Sequence, residues 1–221
     1  MEIQQITVNP FGVNCYVLSN SKKEAILIDP SVSNARERDA LKSYIDGNNL
    51  KVCHVVNTHL HLDHVLGNAF AERVFGVKAE AHEDDAFLLD LQEEQSDMFG
   101  LPVEEPAGPL GGYLAEGDTV EITGVQLQVL HIPGHSPGGI ALYCDHPEEA
   151  SAPGSAKKMP PVLFSGDILF NGGRGRTDLF GGNEEDLVSG LQKKLFSLPE
   201  KTVVFPGHGP STTIGNEKMW F

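Results

Sequence analysis

Along this chain a strand-like apolar run repeatedly ends in small or turning residues followed at once by a histidine or an aspartate. It happens at "VCHVVN" before "THLHLDH" (58–64), at "VQLQVLHI" before "PGHSPGG", within "PVLFSGD" and within "TVVFPGHG". Short β-type runs bounded by Gly and Pro read as strands. Donors placed at the ends of several strands serve one purpose only if those ends converge, and strand-end loops converge in layered α and β structure. The expected fold class is therefore α/β, or α+β in layers.

The other segments agree. "IQQITV", "VNCYVLSN" and "AILID" read as strands separated by Asn-Pro, Gly and Ser-Lys-Lys turns. "NARERDALKSYIDG" reads as a charged helix with Asn34 as N-cap and Gly47 at the stop. A second helix is expected through "HVLGNAFAERVFG", where Leu66, Phe70 and Val74 recur at i, i+4, i+8 and Gly76 closes the run. A late helix is expected over "NEEDLVSGLQKKLFSL". Residues 92–112 and 145–161 lack periodicity and carry Pro and Gly, so both read as loops, the second a surface excursion. At 221 residues with 40% hydrophobic content, a single domain over 1–221 with one sizeable core is expected.

A net charge of −15 disfavours sequence-independent binding to nucleic acid or to an anionic membrane, with "GGRGR" (172–176) the one locally basic stretch. No apolar run approaches the ~18 residues of a membrane span, and "MEIQQITVNP" lacks the pattern of a signal peptide. Cys15, Cys53 and Cys144 are odd in number and far apart, forming neither a disulfide framework nor a CxxC knuckle. Free thiols of a cytoplasmic protein are the expectation.

In an extended segment alternate side chains share a face, so His59 and His61 are read as a chelating pair. Asp63 continues the alternation, and His64 opens the following helix. Four donors on so few residues would strain one tetrahedral ion, and dividing them between two adjacent ions is easier. His135, Asp167 and His208 supply the rest. Imidazole and carboxylate donors suit zinc, iron or manganese. Two divalent ions, zinc first, are expected to share a carboxylate bridge. His54, His82, His131 and His146 lie outside the pattern and read as structural or surface histidines.

With these motifs the chain resembles the metallo-β-lactamase superfamily: "THLHLDH" fits its HxHxDH hallmark, and "PGHSPG", "SGD" and "PGHG" follow in order. The resemblance implies a four-layer αββα sandwich. It implies a first ion on His59, His61 and His135, a second on Asp63, His64 and His208, and Asp167 between them. "GDILFNGGRGRTDLFGG" is similar to the corresponding stretch of glyoxalase II-like hydrolases and persulfide dioxygenases. Many antibiotic-hydrolysing members carry Cys where this chain has Asp167, which disfavours that activity.

The implied activity is hydrolysis of an acyl-glutathione or related small-molecule thioester by metal-activated water, with Asp63 also orienting the nucleophile. Arg176 matches the basic residue implied to contact a substrate carboxylate. The tyrosines expected nearby are replaced by Asp178 and Pro210, and "STTIGNEKMWF" leaves little room for a glutathione-binding helical extension. The alternatives are a mononuclear iron persulfide dioxygenase using His59, His135 and Asp167, and a lactonase or other ester hydrolase.

Overall fold

A computed structural model describes residues 1–147 and 159–221. Residues 148–158, the larger part of the expected excursion at 145–161, lie outside the described residues. Two six-stranded sheets carry the fold. The first contains β1 (Glu2–Val8), β2 (Val13–Ser19), β3 (Glu24–Ile28), β4 (Lys51–Val56), β5 (Ala79–Ala81) and β6 (Gly112–Tyr113), side by side in chain order. β1, β2 and β3 pair antiparallel, and β3 through β6 pair parallel. The second contains β7 (Thr119–Ile122), β8 (Val125–His131), β9 (Ile140–Cys144) and β10 (Val162–Gly166). A small hairpin, β11 (Leu169–Phe170) and β12 (Gly173–Arg174), precedes β13 (Val203–Pro206) and β14 (Thr212–Thr213), which complete the second sheet in the order β14-β13-β10-β9-β8-β7.

Period-two alternation sorts the side chains into layers. In β2 and β3, Tyr16, Leu18, Ile26 and Ile28 face the second sheet and meet Leu127, Val129, Ile140, Leu142 and Phe164. Their neighbours Cys15, Val17, Ala25 and Leu27 face the other way, against Leu41 and Ile45 of α1 (Ala35–Gly47) and Phe70 and Ala71 of α3 (Asn68–Phe75). On the far side, Ala141, Tyr143 and Leu163 pack on Leu187 and Leu191 of α5 (Glu184–Lys193). Helix, sheet, sheet, helix is the four-layer order expected.

The expected helix at 64–76 is two helices, α2 (Leu62–Val65) and α3, parted at Gly67. A Cβ there would lie 1.6 Å from the carbonyl oxygen of Pro30, so the chain passes too close to the β3–α1 loop to carry a side chain. Residues 92–112 differ from expectation. They open with α4 (Gln92–Phe99), closed by Gly100 in the left-handed region, and end in β6. The only fully buried side chain in α4 is Gln95, whose amide accepts from the Leu62 N–H (2.9 Å) and donates to the Leu88 carbonyl (3.0 Å). A helix anchored by a glutamine carries no apolar stripe to read. The last helix, α6 (Ile214–Glu217), is capped by Thr213.

Candidate metal centre

β4, β8, β10 and β13 end at one edge of the two sheets, and the loops beyond them bring the donors together. His59, His61 and His135 form one group, and Asp63, His64 and His208 a second. Asp167 touches both, with Oδ2 at 3.7 Å from His135 Nε2 and 3.4 Å from His208 Nε2, and Oδ1 at 3.4 Å from His64 Nε2. All seven donors from the sequence therefore meet at one place.

Three of the imidazoles are aimed by a bond on their other nitrogen, whereas His61 Nε2 is buried without a partner. His135 Nδ1–H donates to the Arg176 carbonyl (2.8 Å), leaving a lone pair on Nε2. That nitrogen lies 2.9 Å from His61 Nδ1 and 3.2 Å from His59 Nε2. His64 Nδ1–H donates to Asp29 Oδ2 (3.0 Å), and His208 Nδ1–H to the Phe11 carbonyl (3.0 Å). Ligating histidines are held by such outer bonds, which set the tautomer. Nitrogens on a tetrahedral zinc at about 2.05 Å stand roughly 3.3 Å apart, close to the separations here. Asp167 Oδ1 is buried without a hydrogen-bond partner. Crowded lone pairs and an unsatisfied buried carboxylate oxygen fit divalent ions.

The two groups differ in charge. Burial, reinforced by neighbouring imidazoles, lowers the pKa of His59 well below its ordinary value and that of His61 to about 3. Burial acts the same way on His64, but Asp167, Asp63 and Asp29 surround it and raise its pKa well above normal. Against burial, Asp167 and Asp63 raise His208 to about 9. Burial would push Asp63 and Asp167 up, yet His64 and the His208 contact hold both carboxylates below their usual range.

Several supports have no motif of their own. Asp29, at φ +47°, accepts from the Thr58 N–H (2.8 Å) and hydroxyl (2.7 Å) besides His64. "AILIDP" repeats the strand-then-donor pattern, so it offered a signal. Asp85 ties two ligand loops together, accepting from the Leu60 N–H (3.1 Å), the Ser136 hydroxyl (2.8 Å) and the Gly138 N–H (2.5 Å). Asn14 donates to the carbonyls of Pro206 (3.0 Å) and Gly209 (2.9 Å), clamping the His208 loop onto β2. At Gly207 a Cβ would lie 2.2 Å from Asp167 Oδ1, which accounts for the glycine of "PGHG".

Arg176 contributes its carbonyl to His135, while its exposed guanidinium forks onto Asp178 at 2.6 and 2.8 Å. His54 pairs with Glu80 (3.1 Å), and His146 is exposed beside Asp145. His82, Asp84 and His131 also bring donor atoms within 4.8 Å of one another. Their two imidazoles stack, however, with centroids 3.8 Å apart and planes at 14°. In-plane lone pairs of stacked rings do not converge on one ion. Cys15, Cys53 and Cys144 are free thiols.

A family model described as the metallo-beta-lactamase superfamily matches residues 8–148. The chain belongs to that superfamily. Hydroxyacylglutathione hydrolase GloC of Haemophilus influenzae is 35% identical over 219 residues, 99% of this chain and 95% of the relative. Among solved structures, the BLEG-1 B3 metallo-beta-lactamase superposes with a TM-score of 0.83 at 33% identity, covering 99% of this chain and 97% of its own. TTHA1623, solved in a di-iron-bound form, gives 0.79 at 32%, covering 97% and 96%. Family and donor clusters together make the chain a metallo-hydrolase.

Proposed function

We propose that the protein is a binuclear metallohydrolase cleaving acyl-glutathione or a related thioester. The observation that carries this reading is the seven-donor cluster, in two groups joined by Asp167, in a chain 35% identical to a hydroxyacylglutathione hydrolase over nearly its whole length. In this reading His59, His61 and His135 would hold one ion, Asp63, His64 and His208 the other, and Asp167, in reach of both groups, would serve both. Bound zinc, or iron or manganese in its place, would bring the pKa of a water from 15.7 towards about 7 and polarise a carbonyl.

The chain's own groups do the rest. Asp63 Oδ2 stands 3.4 Å from His208 Nε2, and Asp63 is kept ionised. Its partly exposed carboxylate orients the attacking water and accepts its proton. Addition to the thioester carbon and loss of the thiolate give a carboxylic acid and a thiol. A thiol of pKa about 8.5 leaves without a dedicated acid. Arg176 would meet a carboxylate of the thiol carrier by exchanging it for Asp178.

Hydrolysis of lactoyl-glutathione by protein whose metals are counted in the same sample tests this. A kcat/KM above roughly 10⁴ M⁻¹s⁻¹ is expected with two ions bound, and no turnover by fully loaded protein overturns that substrate. A single iron with oxygen uptake on glutathione persulfide would replace the reading with a dioxygenase. The likeness to BLEG-1 favours a second reading, β-lactam hydrolysis. A penicillin assayed on the same sample separates the two.

A further inference from the structure

The flanks of the donor cluster are apolar and aromatic. On the side of the first group, Phe180 has its ring centroid 6.4 Å from that of His61 and rests on a cluster containing Leu60, Leu62 and Leu88. On the side of the second, Phe170 lies 6.2 Å from His208. Phe11, whose carbonyl holds His208, is 45% exposed and meets Phe99 edge-on at 6.3 Å. Next to Phe99 in α4, Met98 is 53% exposed. α4 itself is fixed to α2 through the Gln95–Leu62 hydrogen bond, so this flank is tied to the segment bearing Asp63 and His64.

Exposed and half-buried apolar side chains beside polar donors mark a ligand surface. A small acyl group would leave the open faces of Phe11, Phe170 and Phe180 uncovered. An acyl chain long enough to cover them would gain transfer free energy for each methylene buried. We propose that the acyl group this site selects is apolar, a medium-length aliphatic or arylalkyl chain, with Phe11 and Phe180 as specificity-determining residues. The inference rests on the thioesterase reading above and extends it to the acyl half of the substrate.

The test is kcat/KM for acetyl, butyryl, hexanoyl and phenylacetyl thioesters of N-acetylcysteamine, a neutral carrier common to the series, on metal-loaded protein. The expected rise is about fourfold per methylene buried, on the order of 100-fold from acetyl to hexanoyl. Phe11→Ala and Phe180→Ala should flatten that slope, whereas a merely structural lesion lowers every substrate alike. If Phe180→Ala fails to fold, Phe180→Leu keeps the volume and should weaken only the phenylacetyl preference. A slope below twofold across the series overturns the inference and leaves the thioesterase reading standing. Absence of turnover on every thioester, glutathione conjugates included, removes both.

Discussion

The two donor groups are built from the same chemistry and sit in opposite electrostatic settings. His59, His61 and His135 are buried, and burial discharges His59 and His61. Asp63 and His208 are partly open to solvent, and in their group the carboxylates hold His64 and His208 protonated without a metal. The first group is ready for a cation, whereas the second must release protons to take one. Proximity alone therefore does not make two halves of a centre equivalent; the neighbouring carboxylates decide.

The largest expected effect comes from the residue that touches both groups. Asp167→Ala should lower kcat/KM on the order of 10³-fold and reduce metal content below two per chain by elemental analysis. Retention of two ions would break the view of Asp167 as the joint. Next is pH. Because His208 carries a proton below about 9, affinity at the second group should fall about tenfold for each unit below that value. Protonated His64 would make the fall steeper. Protons should compete less at the first group, where His61 titrates near 3 and burial keeps His59 well below its ordinary value. Calorimetric titration of metal-free protein at several pH values reads both, and parallel slopes would erase the contrast.

Asp29→Asn should weaken the second group selectively, by about 10–100-fold, because it removes the carboxylate that aims His64. Equal weakening at both groups would mean that Asp29 acts through the Thr58 turn instead. The smallest effect is expected at Arg176. Its pair with Asp178 is exposed, so Arg176→Ala should shift the thermal midpoint by no more than about 2 °C. A larger shift, read by differential scanning calorimetry, would show the segment buttressing His135 through more than its backbone carbonyl.

The legible part of the site was its donor layer, because His and Asp recur straight after apolar runs and turning residues at several strand ends. The supports were less legible. Asp85 lies in an acidic 3₁₀ helix, Glu83–Leu89, and nothing local shows that its carboxylate reaches loops 25 and 51 residues away. The Phe11 and Arg176 carbonyls belong to residues whose side chains point to other roles, and any residue offers a carbonyl. α4 went unread because a polar side chain, Gln95, anchors it.

What the sequence determined by itself was the layered α/β class and the seven donors. Alternation along strands and the identity of metal-binding side chains are properties of the chain read locally. Only the tertiary structure decided how the donors divide in charge, which carbonyls aim the imidazoles and where the aromatic flanks lie. Those depend on burial and on contacts between residues as distant in the chain as Phe11 and His208, and no local pattern encodes a dielectric or a neighbour brought in by folding.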